Sequence, residues 1–162
     1  MVLVQGCAHD AVTIHYEQIG ACNGIATGPG ATSAGPNAAY AILRINSIDN
    51  KESSARDFNF DPNLLFVNLT PRAYTSAHLN LVQLNPFYAV SATIKAGNSL
   101  SMNGAVVAVV QTSATDGASE ASKTSYFLSY DSPSATQPII LDKVNSSQTT
   151  WPYIPDCSLI TY

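Results

Sequence analysis

Charge is what this sequence has least of. Lys and Arg number 7 and Asp and Glu 11, so charged residues make up 11% of the 162-residue chain, against roughly 25% in a typical soluble domain. The formal net charge of -4 would repel a phosphate backbone, which binders meet with clustered Lys and Arg, so nucleic acid is excluded as the expected partner. Long apolar runs are also missing. None approaches the ~18 residues that cross a bilayer, and no transmembrane segment is expected. The opening MVLVQGC has neither a basic start nor a long apolar stretch, so it does not read as an intact signal peptide.

Cysteine is scarce as well. Cys7, Cys22 and Cys157 form no CxxC pair, which argues against a zinc knuckle. In an oxidising compartment two of the three are expected to pair. A bridge to Cys157 would close a long loop and restrict the unfolded chain by about 4 to 5 kcal/mol in the entropy model. Which two pair stays open.

What the chain has in place of charge is Ser, Thr, Asn and Gln around short apolar segments. Residues 11–19, 39–48, 64–69, 78–84, 87–94, 104–112, 124–130 and 138–144 are rich in β-branched and aromatic residues, and each reads as a strand. Alternation is visible in Val12, Ile14 and Tyr16, and in Leu43 and Ile45 against Ile42 and Arg44; it implies one face inward and one outward. Gly, Pro, Asn, Asp and Ser between these segments supply turns. The spacing predicts an all-β fold, an antiparallel immunoglobulin-like β-sandwich with Greek-key connections, formed as one domain over residues 1–162. Residues 25–38 read as a Gly/Pro-rich loop. The tail, 145–162, is expected to pack on a sheet edge, with Pro152 and Pro155 barring a central strand.

The loop invites a phosphate-binding reading, which its residues refuse. CNGIATGPGATSAGPN has no lysine, nor has anything from Met1 through Asn50, and a P-loop needs one to reach the outer phosphates. Pro29 and Pro36 break a dinucleotide-binding turn. His9, His15 and His78 are too few and too scattered to mark a metal site, and read as surface or edge residues. GNSLSMNG is not the GxSxG of a nucleophile elbow. No paired carboxylates mark acid and base roles. No catalytic residue and no enzyme activity are therefore expected.

The sharpest polar pattern is DFNFDPN, in which Asp57, Asn59, Asp61 and Asn63 alternate with Phe58, Phe60 and Pro62. Oxygen ligands at every second position open a calcium loop. Here, however, Pro62 stands where the sixth-position glycine belongs, and Asn68 where the bidentate Glu belongs. The first expectation is a strand or loop whose phenylalanines face the core. The alternative is a calcium site on Asp57, Asn59 and Asp61, completed by Asp49 or Glu52. Trp151, Tyr153 and Tyr162 offer stacking surfaces for a carbohydrate, although terminal aromatics more often complete a core. Asn68-Leu-Thr and Asn145-Ser-Ser are glycosylation sequons.

From Ala39 to about Asp131 the layout resembles the telokin-like, immunoglobulin-fold family of small secreted or lipid-anchored bacterial domains. The resemblance is carried by AYAILRINSIDN leading into SSARDFNFDPNLLFV, by the turn and glycine-led strand of IKAGNSLSMNGAVVAVV, with Lys95, Gly97, Gly104 and Val106 to Val110, and by the closing strand TSYFLSYD. It implies an extracellular or cell-surface interaction or structural role, and no catalytic residues. The expected function is a non-enzymatic protein-binding or self-assembling subunit, with the terminal segments VLVQG and SLITY as candidate docking strands. A calcium- or carbohydrate-binding module is the alternative.

Overall fold

The computed structural model describes residues 12–23, 39–60, 65–69, 81–83, 90–111, 121–130 and 139–154. The elements traced there are all strands: β1 (Val12–Asn23), β2 (Ala39–Asn50), β3 (Arg56–Phe60), β4 (Leu65–Asn68), β5 (Leu81–Gln83), β6 (Val90–Ile94), β7 (Ser99–Gln111), β8 (Phe127–Tyr130), β9 (Ile139–Lys143) and β10 (Tyr153–Ile154). The all-β expectation holds. No helix among the described residues is long and apolar enough to cross a membrane.

Six strands form the main sheet, in the order β10-β1-β2-β7-β5, with β9 also paired to β1; β3–β6 and β4–β8 are separate two-stranded antiparallel sheets. The expected purely antiparallel pairing needs one revision. β9 and β10 both run parallel to β1, at Val12↔Ile139 through Tyr16↔Lys143 and at Ala21↔Tyr153. Parallel neighbours need a long connection and no local turn, so their pairing leaves no mark in nearby sequence. Pro152 precedes β10, which stands at the end of the sheet order and not in its centre, and it uses its carbonyl: Ala21 N–H donates to Pro152 O at 2.9 Å. A Cβ at Gly20 would lie 3.1 Å from that oxygen, so glycine there permits the close approach.

The core follows from alternation, corrected at two bulges. Ile14 and Tyr16 on β1 pack with Leu43, Ile45 and Ile48 on β2, Phe58 on β3, Leu65 and Val67 on β4, Ile94 on β6, and Leu128 and Tyr130 on β8. The small sheets therefore share one core with the main sheet. Ile45 and Ile48 lie three residues apart, which strict alternation would place on opposite faces. The register resolves this, since His15 pairs with Ser47 while Tyr16 pairs with Ile45, leaving Asn46 as the extra residue of a bulge. A second shift lies between Gln18 and Gly20.

The bulge at Asn46 also turns Ser47 and Asp49 to the face away from the core, beside His15. Farther along that face Cys22, Tyr40 and Ile42 are fully buried yet stand apart from the main core cluster. The face thus changes from apolar and covered at one end to polar and partly exposed at the other.

Asn50 closes the end of β2. Its buried side-chain amide donates to Ser54 O (2.9 Å) and Ile94 O (2.8 Å), and its Oδ1 accepts from Glu52 N–H at 3.0 Å. Its backbone meets the turn before β7, where Asn98 N–H donates to Lys95 O and Gly97 has φ 71°. That left-handed conformation is why glycine occupies the third turn position. Residues 95–98 thus form a four-residue turn followed directly by β7.

Candidate functional site

Two polar clusters flank the border where β9 joins β1, one on each face of the sheet. The outward cluster centres on His15. Its Nε2 lies 2.8 Å from Asp49 Oδ2 on β2, and its Nδ1 lies 2.9 Å from Asp142 Oδ2 on β9. Asp49 Oδ1 accepts further hydrogen bonds from Ser99 Oγ (2.6 Å) and Ser47 Oγ (3.3 Å). Burial alone would raise the Asp49 carboxyl, but the hydrogen bonds from Ser99, His15 and Ser47 and the charge of His15 outweigh it and hold it below the usual range. The next row along the face is the ion pair of Glu17 with Arg44.

The inward cluster centres on Lys143, which is buried without a carboxylate among its described partners. Nζ donates to Gln18 Oε1 (3.0 Å) and Ser125 Oγ (2.7 Å), and stands 4.8 Å from the ring centroids of both Phe127 and Trp151. Those faces give cation–π attraction. Removal from water still dominates and pushes the ammonium down to about 8. Gln18 is itself buried, with Nε2 donating to Thr124 O (2.9 Å) and Oε1 accepting from Tyr126 N–H (3.0 Å).

Between β9 and β10 the border of β1 is completed by a side chain. Val144 N–H donates to Tyr16 O at 2.8 Å. Asn145 Oδ1 then accepts from Gln18 N–H (3.2 Å) while its Nδ2 donates to Gln18 O (2.7 Å). The amide of Asn145 thereby does what a neighbouring strand's backbone would do. Beyond this border Val144 and Tyr153 present large apolar side chains, 59% and 48% exposed.

The residues singled out by sequence are only partly gathered. Asp57 lies on β3 beside Phe58, which is buried in the core, so the strand reading of DFNF describes what is seen. Asp57 Oδ1 accepts from Thr93 Oγ1 at 2.5 Å. Asn59 pairs with Ser91 through the β3–β6 ladder; its side chain, and Asp61, lie outside the described residues. Asp49 serves His15, and Glu52 pairs with Arg56. Among the described residues no group of three His, Cys, Asp or Glu side chains is arranged to hold a metal ion.

Trp151 is buried against Lys143, whereas Tyr153 is exposed; Tyr162 lies outside the described residues. Cys22 is fully buried, and Cys7, Cys157, His9, His78, VLVQG, SLITY and the loop 25–38 lie outside them. Both sequon asparagines are engaged. Asn68 is buried and donates to Ser129 Oγ at 3.2 Å, and Asn145 is held on Gln18. The two clusters at the β9 border were missed by sequence reading, because Asp142 and Lys143 reach His15 and Gln18 from more than a hundred residues away.

No family model, no curated protein and no solved structure matches this chain.

Proposed function

We propose that this chain is a non-enzymatic extracellular or cell-surface β domain that self-associates through the β9–β10 border of its six-stranded sheet. The observation that carries the reading is that border. Among the described residues β9 and β10 end the sheet beside β1, and Val144, which follows β9, and Tyr153 of β10 stand exposed there. A strand at a sheet's end offers main-chain donors and acceptors to another strand, and neighbouring apolar side chains add a contact surface. A second copy is the occupant that fits. Among the described residues the other end of the same sheet is β5, Leu81–Gln83, so one molecule carries two borders that a head-to-tail arrangement would join.

An immunoglobulin-like sandwich with Greek-key connections is part of this proposal, supported by the single core shared between the main sheet and the two small ones. Kinship with telokin-like secreted domains belongs to it too, through the run of β2, β3 and β4. A bridge from Cys22 to Cys7 or Cys157 suits an oxidising compartment, and the burial of Cys22 is compatible with it.

Light scattering over micromolar to millimolar concentrations tests the reading. The expected result is a mass that rises with concentration in the natural protein and remains monomeric in a Val144→Lys, Tyr153→Lys double variant. A monomer at every concentration would overturn self-association.

A further inference from the structure

The geometry points to a protonation-dependent latch in which the imidazolium of His15 ties the border strand β9 to β2 across β1. Both ring nitrogens face carboxylate oxygens, Asp49 at 2.8 Å and Asp142 at 2.9 Å. Ionised carboxylates only accept hydrogen bonds, so both contacts are hydrogen bonds only when both nitrogens carry hydrogen. Once the ring loses a proton, one nitrogen lone pair faces an anionic oxygen and that contact becomes repulsive.

Asp142 is the partner that lets go. Asp49 is held additionally by Ser99 and Ser47 and its side chain is 24% exposed, whereas that of Asp142 is 55% exposed and makes no other described hydrogen bond. Water therefore replaces the Asp142 contact at lower cost, and the neutral ring keeps Nε2–H on Asp49. Other charged groups around the ring do not substitute for it. On β1 Glu17 is paired with Arg44 of β2; β7 contributes Ser99 and Ser101, which do not titrate in this range; and on β9 the neighbouring Lys143 is buried on the opposite face.

The latch is closed while the carboxylates are ionised and the imidazole is protonated, and it opens when the ring gives up its second proton. β9 then keeps its backbone ladder to β1 but loses its side-chain tie. The consequence for association rests on the border reading above: loosening β9 changes the strand that would be offered to a second copy. The latch itself does not depend on that reading.

Hydrogen exchange of the β9 amides in dilute, monomeric protein between pH 5 and 8, corrected for the intrinsic pH dependence of exchange, separates the two. The expected result is a several-fold loss of protection at residues 139–143 as pH rises. The loss disappears in Asp142→Asn, an exposed position where folding is retained, and in His15→Gln. Protection that is independent of pH, or the same pH dependence in Asp142→Asn, would overturn the latch whether or not the protein associates.

Discussion

Lys143 and Gln18, 125 residues apart, meet in the core with Nζ 3.0 Å from Oε1. The contact joins the border strand β9 to the centre of β1. It also places a lysine where its charge is poorly accommodated, since the amide, one hydroxyl and two aromatic faces replace the water it has lost.

Stability is expected to rise between pH 8 and 10.5 because of this lysine. Its ionisation falls from 10.5 to about 8 on folding, so the unfolded chain binds more protons in that window, and stability increases with pH there. At about 1.36 kcal/mol per pH unit the rise amounts to about 3 kcal/mol. Denaturant titrations across the window check it. In Lys143→Met the rise should vanish, with stability at pH 7 equal to or above that of the natural protein; an unchanged alkaline rise would contradict the assignment.

Tyr16 acts in the opposite sense at higher pH. Burial, aided by the charge of Asp142 and opposed by the hydrogen bond from Leu128 N–H, raises its hydroxyl from 10.0 to about 12. Raised ionisation of an acid gives stability that is complete below pH 10 and lost as pH climbs toward 12. Tyr16→Phe should remove that decline. At pH 7 it should cost about 1 to 3 kcal/mol, because the Leu128 N–H loses its acceptor. Chemical denaturation at pH 7 and pH 11 distinguishes the two effects.

Asn145 offers a local test of the border. Alanine there leaves both backbone groups of Gln18 without the partners described, an expected loss of about 1 to 3 kcal/mol. Asn145→Asp keeps an acceptor for Gln18 N–H but loses the donor to Gln18 O, and should fall between the two. Amide exchange at Gln18 should accelerate in the alanine variant by at least tenfold. Unaltered exchange would show that the side chain does not complete the strand.

Much of this fold is legible in the sequence where alternation governs it. Val12, Ile14 and Tyr16 announce one buried face, and Leu43 and Ile45 against Ile42 and Arg44 announce two. The pattern misleads at Asn46, because a bulge shifts the phase of every later residue in β2, and nothing local distinguishes Asn46 from a paired residue. Arg56 to Phe60 is readable as a strand through Phe58. The His15 cluster was not legible. His15 stands alone in its segment, and its partners come from β2 after the phase shift and from a parallel strand 127 residues away. Lys143 looks like an ordinary polar strand end until Gln18, Ser125, Phe127 and Trp151 are assembled around it.

The most direct test of the proposed role is hydrogen exchange measured as a function of protein concentration. If β9 and β10 receive a second copy, residues 139–144 and 153–154 gain protection as concentration rises from micromolar to millimolar, while the Asn50 amide in the interior stays constant. Protection at the border that does not change over that range would contradict the account.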